Sequence, residues 1–356
     1  MATAKKLPSG SWRVQVYAGK DAAGKPQYRS FTRPTKKEAE YEALQWQLHY
    51  KEVSRDSTAM TLAEAMSKYI ASKDGILSPS TIRGYDIIRR EHLKGLMDIR
   101  LNRLTPALIQ EAINQETKPY TDRHGKTKTP SPKSVRNVHG LLSAVLAEYC
   151  PGLRLNTTLP QKQITEQSIL EPEEIAALLH AVEGTEMEIP VLLAVWLCMR
   201  SSEITGLTWD CIDFQRGTVT IRQARVRNAQ NEWVEKNSTK TTSSTRTVRA
   251  SDYVMEKLKT AKEAATTGHV VNIKGNSLYT RLKTILRKNE LPDIRFHDLR
   301  HTAASIMVAL NTPEKYIMAR GGWSSPGVLR QVYEHTMEHK RNSVDKQIDN
   351  FFYSLM

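Results

Sequence analysis

At 356 residues the chain is long enough for two or three domains, and its 39% hydrophobic content supports packed cores rather than wholesale disorder. Fifty-two Lys and Arg against 38 Asp and Glu leave a formal +14 at pH 7, which favours a polyanionic partner because phosphate contacts release condensed counterions. No apolar run approaches the roughly 20 residues of a membrane helix, residues 1–20 lack a signal-peptide core, and Cys150, Cys198 and Cys211 have neither disulfide nor zinc spacing, so a reducing cytoplasm is expected.

The first segment, residues 1–56, predicts a small sheet followed by a helix. Trp12, Val14 and Val16 alternate with Arg13, Gln15 and Tyr17 as a half-buried strand does. Asp21–Gly24 carries turn chemistry, and Tyr28–Phe31 returns as a second strand. Thr35 and Glu38 form a capping-box pattern ahead of a helix with Ala39, Ala43 and Trp46 on one side. Eleven basic residues oppose six acidic ones here, a surplus that favours DNA binding over a solvated appendage.

Residues 54–59 read as a polar hinge, and a second capping box follows at Thr61 and Glu64. The span 60–157 predicts an all-helical bundle. Ser78-Pro79 and Thr105-Pro106 are N-cap and N1-proline pairs. One apolar stripe runs through Leu108, Ile109, Ala112 and Ile113, another through Val135, Val138, Leu142 and Val145. Thr121–Ser134, rich in Lys, Thr and Pro, reads as a mobile insertion, and Asn156–Gln167 as a linker.

From Glu171-Pro172 a mixed, mainly helical domain with a small antiparallel sheet is expected, spanning 167–345. Helices are predicted over 172–183 and 188–208, strands over 217–228, 232–237 and 245–249, and helices again beyond. The last residues repeat Val344, Ile348, Phe352 and Leu355 as an amphipathic tail helix does. The expected fold class is therefore multidomain α+β.

Chemistry concentrates in the same region. Arg200 and Glu203 are three apart, on one face of the predicted helix 188–208. Lys240 sits in the turn Ser238–Thr241, with Lys236 nearby. His297 and Arg300 are three apart, His301 is one turn beyond His297, and Trp323 follows a Gly-Gly turn. Tyr333 comes ten residues after Trp323, with Tyr316 and Tyr353 as alternative phenols. If a tyrosine is to attack a phosphodiester, the protein must position the groups and neutralise charge. Two guanidiniums can grip the non-bridging oxygens. A donor must protonate the leaving 5′ oxygen, and the phenol, with an ordinary pKa of about 10, needs help losing its proton. Taken singly, each residue has a blander role: Arg200–Glu203 as a structural pair, His301 as a core histidine, Trp323 as an aromatic plug.

The ordered set Arg200, Glu203, Lys240, His297-x-x-Arg300-His301, Trp323 and Tyr333 resembles the tyrosine recombinase (phage integrase) family over roughly 167–345. The resemblance implies that Arg200 and Arg300 bind the scissile phosphate, Lys240 is the general acid, His297 assists proton transfer, Trp323 packs on the site and offers its indole N–H, and Tyr333 forms a 3′-phosphotyrosine. Glu203 and His301 would be supports. It implies no cofactor and no metal. It also implies an arm-site-binding module at 1–56, a core-site-binding module at 60–157 and a tail at 346–356 that docks on a neighbouring protomer. Such an integrase would bind double-stranded DNA as a homotetramer in a bacterial cytoplasm, with no membrane association. An excisionase or host DNA-bending protein would assist. A type IB topoisomerase or a non-catalytic DNA-binding regulator would share the fold; the first 56 residues speak against the former and the complete residue set against the latter. Three positions depart from the usual pattern: Cys198 stands where glycine is common, Arg320-Gly321-Gly322 precedes Trp323, and Val248-Arg249-Ala250 ends the hairpin strand.

Overall fold

A computed structural model describes residues 3–20, 26–122, 125–162, 169–237, 245–273 and 277–327. The chain forms two compact units: residues 1–164, with which the turn 228–232 groups, and the remainder of 165–356. Among the described residues, no helix is long and apolar enough to cross a membrane.

The first unit opens with antiparallel strands β1 (Lys5–Lys6), β2 (Trp12–Lys20) and β3 (Pro26–Arg33), in that spatial order. The register sets Val14 opposite Phe31 and Tyr17 opposite Tyr28. Helix α1 (Lys36–Ala59) covers one face, and Val14, Val16, Phe31, Ala39 and Ala43 are buried between them. Its start carries the expected capping box: Thr35 Oγ1 accepts from the Glu38 amide at 3.3 Å, and Glu38 accepts from the Thr35 amide at 3.3 Å.

The hinge expected at 54–59 is not one, because α1 continues through it to Ala59. That stretch holds no Gly or Pro, so nothing in the backbone stops helix propagation. Just past the helix the chain pairs with the neighbouring turn: Leu101 N–H donates to the Met60 carbonyl and Leu62 N–H to that of Ile99, both at 3.0 Å.

The bundle then comprises α2 (Leu62–Ser72), α3 (Pro79–Glu91), the short α4 (Lys94–Met97), α5 (Pro106–Gln115) and α6 (Pro132–Tyr149). Thr61, Thr105 and Ser131 cap α2, α5 and α6 through their hydroxyls. Ile109, Ile113, Val135, Val138, Leu142 and Val145 form the bundle core with Leu62 and Met66, so both predicted stripes face inward. Between α5 and α6 the expected mobile insertion contains a hairpin, β4 (Tyr120–Thr121) with β5 (Thr127–Lys128). Asp122 and Gly125 build its turn, Gly125 taking φ +74°, and Lys128 pairs with Asp122 at 2.7 Å. The described part of the expected linker packs back on the bundle: Gln110 exchanges hydrogen bonds with the Thr158 backbone, and Arg136 donates to the Pro160 carbonyl.

In the second unit α7 (Pro172–Val182) is followed by α8 (Glu188–Trp196), α9 (Ser201–Gly206) and strands β6 (Ile212–Asp213) and β7 (Thr218–Ile221). Next come β8 (Gln223–Arg227), β9 (Trp233–Asn237) and β10 (Arg246–Arg249). Helices α10 (Asp252–Glu263), α11 (Ser277–Lys288), α12 (Asp298–Ala309) and α13 (Glu314–Gly321) complete it. The strands form a three-stranded sheet, β10-β7-β6, and a separate hairpin, β8-β9. The strand expected over 217–228 thus divides at Arg222, whose side chain pairs with Asp210 while its neighbours pair in different sheets.

The helix expected over 188–208 is likewise two helices. Cys198 breaks it with φ +51°, a left-handed conformation that ends α8 before Arg200 starts α9. That backbone explains why glycine suits the position. Helix α12 lies in the middle of the unit, buried continuously from Asp298 through Ser305.

Candidate active site

Arg200 is the N-cap of α9 rather than a residue within a helix, and Glu203 is three positions on. Glu203 accepts from the Arg200 amide at 2.9 Å and from its Nη1 at 2.6 Å, so the spacing makes a cap and an ion pair at once. The other fork nitrogen, Nη2, donates to the Gly322 carbonyl at 2.7 Å. Arg200 is held from two sides and stays partly open to solvent, its side chain 35% exposed.

Glu203 also receives Arg246 from β10. Its Nη2 lies 2.8 Å from one carboxylate oxygen and its Nη1 3.2 Å from the other, while Nε donates to the Arg320 carbonyl at 2.8 Å. Burial pushes the Glu203 pKa up, but hydrogen bonds and charge from Arg246, with Arg200 adding, outweigh it and hold the carboxyl below its ordinary range. One carboxylate therefore serves two arginines. Arg246 did not figure among the expected site residues. The signal was present in the strand register: Arg246 and Val248 alternate with exposed Thr247 and Arg249, and an arginine in phase with a buried valine needs an internal carboxylate.

Arg300 comes from the first turn of α12 and is 1% exposed. Its Nη1 donates to the carbonyl of Cys198. Among the described residues its Nε and Nη2 are buried without a partner, and its Cζ lies 4.0 Å from the centre of the Trp323 ring. Burial and the nearby Arg200 push its pKa down to about 9, so it remains charged at neutral pH, with no paired carboxylate among the described residues. The adjacent Asp298 is committed elsewhere, to Arg295 at 2.9 and 3.1 Å.

His297 and His301 stand one turn apart with ring centres 4.9 Å apart, edge to face. Burial, then the Arg300 and Arg200 charges, lowers the His297 pKa, although one side of the residue reaches solvent. His301 is pushed down to about 4 by burial and by His297, so both rings are neutral at pH 7. A neutral imidazole can accept a proton.

Trp323 is 9% exposed and packs with Cys198, Ala303, Ala304, Val308 and Ile317. Its amide donates to the Met318 carbonyl across a turn that Gly322 makes with φ +66°. Gly321 leaves room for the indole: a Cβ there would lie 2.0 Å from a ring carbon. Arg320, at the first of the unusual positions before Trp323, caps α8 by donating from Nη2 to the Trp196 carbonyl at 2.7 Å.

Four predicted residues, Arg200, His297, Arg300 and Trp323, thus converge with both expected supports. The alternative lysine, Lys236, lies on β9 opposite Ala224. The alternative phenol Tyr316 is 55% exposed and accepts from Arg320 at 3.4 Å. Lys240, Tyr333, Tyr353 and the tail 346–356 lie outside the described residues. Chemically, the described cluster is an anion site: a buried guanidinium with two free N–H edges, a second on the rim, and a neutral imidazole beside them.

Residues 168–340 match the Phage integrase family. Over 385 residues the chain is 24% identical to the tyrosine recombinase XerC-like protein of Caldanaerobacter subterraneus subsp. tengcongensis, covering 96% of each chain. It is 27% identical to the integrase of Salmonella phage P22 over 54% of this chain and 50% of that one. Among solved structures, the Tn1549 transposon integrase in complex with transposon right end DNA superposes with TM-score 0.62 at 16% identity, over 79% of this chain and 99% of that chain. The lambda integrase tetramer bound to a Holliday junction gives 0.54 at 16% identity, over 92% and 94%. The protein is of the DNA strand-transferring enzyme class. Its residues 168–340 carry a phage integrase domain, the domain found in the tyrosine recombinases.

Proposed function

We propose that this chain is a site-specific DNA integrase that cuts and rejoins DNA through a 3′-phosphotyrosine intermediate and a Holliday junction, moving a mobile element or prophage into and out of a chromosome. The observation that carries the reading is the buried Arg300 fork, its Nε and Nη2 unpartnered among the described residues, beside an Arg200 that Glu203 and Gly322 aim. Arg200 and Arg300 grip the scissile phosphate and offset the charge that builds at phosphorus. Tyr333 attacks and His297, neutral at pH 7, takes the phenolic proton. Lys240 gives its proton to the departing 5′ oxygen, and Trp323 walls the site beneath Arg300. A 5′ hydroxyl from another strand reverses the link, since the phosphodiester's energy is conserved in it.

The wider assembly belongs to the same reading. Residues 1–56 serve as an arm-site module, 60–157 as a core-site module and 167–345 as the catalytic module. Their basic surplus supports this, as does the likeness to a lambda integrase tetramer on a Holliday junction. Tetramerisation uses the tail 346–356 on a neighbouring protomer, and an excisionase or host bending protein sets direction. Relatives from a bacterium and a bacterial phage support a bacterial, cytoplasmic setting.

The test is a nicked duplex carrying the junction of the element that encodes the chain, incubated with full-length protein. A covalent adduct that Tyr333→Phe abolishes is the expected result. No adduct would point to a DNA-binding regulator, and adducts on arbitrary duplexes to a topoisomerase.

A further inference from the structure

Among the described residues, the two groups that aim the Arg200 fork are both held by one buried residue outside the predicted catalytic set. Arg200 Nη1 reaches Glu203 and its Nη2 reaches the Gly322 carbonyl. Arg246 bonds to Glu203 at one end and, at the other, to the turn that carries Gly322. Its Nη1 and Nη2 bind the two oxygens of Glu203, and its Nε binds the Arg320 carbonyl, two residues before Gly322. The result is a closed circuit, Arg200–Glu203–Arg246–turn 320–322–Arg200, linking α9, β10 and the end of α13.

The packing around the circuit is tight. Arg246 is 9% exposed and Glu203 7%. At Gly322 a Cβ would lie 2.9 Å from Arg246 Nη1, so the turn and the guanidinium are in direct contact. Two cations share one carboxylate, which leaves the cluster one positive charge in excess. An orienting carboxylate paired only with Arg200 would neutralise it, whereas here Arg246 supplies the compensating charge.

We infer that Arg246 is a positioning residue for strand cleavage: it saturates Glu203 and anchors turn 320–322, so that the Arg200 fork is held at the phosphate site with its positive charge intact. This rests on the integrase reading above. Arg246 touches no substrate and acts through Arg200. The unlike charges also meet a bidentate requirement that lysine cannot reproduce, because only a planar fork spans both Glu203 oxygens and the Arg320 carbonyl at once.

The test uses full-length protein, the nicked junction duplex, and the same duplex with a methylphosphonate at the scissile position, which removes one non-bridging negative charge. Arg246→Met, Arg246→Lys, Arg200→Ala and Arg246→Met/Arg200→Ala are compared for cleavage rate, DNA affinity and thermal melting. Arg246→Met should slow cleavage by about 100-fold, of the order lost when a transition-state charge contact is removed. Affinity for the intact duplex should change by less than about threefold, because many phosphate contacts elsewhere carry it. The double variant should be no slower than Arg200→Ala beyond roughly threefold, since residues acting as a unit are non-additive. On the methylphosphonate duplex the Arg246→Met deficit should shrink in parallel with that of Arg200→Ala.

A residue that merely supports the fold would lower both substrates equally and add its full loss to that of Arg200→Ala; that pattern overturns the inference. Should Arg246→Met melt below the assay temperature, Arg246→Lys, which keeps a buried cation, decides the matter by the same two comparisons. Wild-type activity on Arg246→Met also overturns it. Failure of wild-type protein to form any adduct overturns the integrase reading instead.

Discussion

The Arg300 guanidinium lies 4.0 Å from the centre of the Trp323 ring, and both are nearly sealed from solvent. A cation so placed keeps part of its electrostatic solvation from the ring face rather than from a carboxylate, leaving its free N–H edges for an anion. Trp323→Ala should therefore destabilise the second unit by about 3–5 kcal/mol, mostly through the cavity. Trp323→Phe, which keeps a π face, should lose about half as much. Denaturant midpoints of the three proteins check this, and equal loss in both variants would refute a contribution from the ring face.

Gly321 sets that stacking. A Cβ at this position would fall 2.0 Å from the indole, so Gly321→Ala must push the ring off its seat. An overpacking cost of about 1–3 kcal/mol is expected. Adduct formation should fall with it, because Arg300 loses its backing. Retained cleavage at full rate in a folded Gly321→Ala protein would show that the stack is dispensable.

Cys198 separates two effects that usually travel together. Its φ of +51° is unfavourable for any residue with a Cβ, by roughly 1–2 kcal/mol. Its side chain is also fully buried, with the thiol pKa pushed up to about 11 by that burial, so it acts as a small hydrophobe. Cys198→Ala loses packing and keeps the strain; Cys198→Gly loses slightly more packing and removes it. The glycine variant should accordingly be more stable than the alanine variant by about 1 kcal/mol in thermal melts. The reverse order would mean that the left-handed turn costs nothing.

In the helical bundle, His92 and Glu116 form a 2.5 Å pair, and Glu116 also accepts from the Leu93 amide at 2.7 Å. The Glu116 hydrogen bond, set against burial, raises the His92 pKa. Burial alone would raise that of Glu116, but the His92 and Leu93 hydrogen bonds lower it. A raised histidine stabilises below its unfolded pKa and loses that contribution as pH rises through the folded value. A lowered carboxyl stabilises above its unfolded pKa and loses it as pH falls. Both contributions coincide between roughly pH 4.3 and 6.5, the unfolded values. The stability gap between wild type and Glu116→Gln should peak in that window and narrow on both sides. A gap that is flat with pH would contradict the ion pair.

His297 provides a pH signature for the reaction. Burial and two arginines hold its pKa below 6.5, so it stays neutral where an ordinary histidine would charge. If it takes the phenolic proton, the acid limb of the cleavage rate should lie below pH 6.5, and His297→Gln should abolish that limb along with most of the rate. A limb centred above that value would assign the proton to another group.

Much of this protein could be read from residue order alone. Capping boxes at Thr35 and Thr61, prolines at first helical positions and the inward stripes of α5 and α6 are local signals, and local hydrogen bonding and period decide them. The pairs Arg200–Glu203 and His297–His301 were legible for the same reason, since three- and four-residue spacings on or beside a helix bring side chains together. Residue order failed where a distant partner settled the outcome. The break at Cys198 comes after Val191–Leu197, an apolar stretch with no Gly or Pro to mark it.

Linear spacing put forward the members of the candidate cluster; how the described ones are arranged came from segments distant in the chain. Cys198 offers its carbonyl to Arg300, and Gly322 offers its own to Arg200. Arg246 closes the circuit because strand alternation turns it inward toward a carboxylate 43 residues away. No local period encodes such contacts. A buried charge accepts whichever partner the packed core presents, and that choice exists only once α9, β10, α12 and α13 have come together.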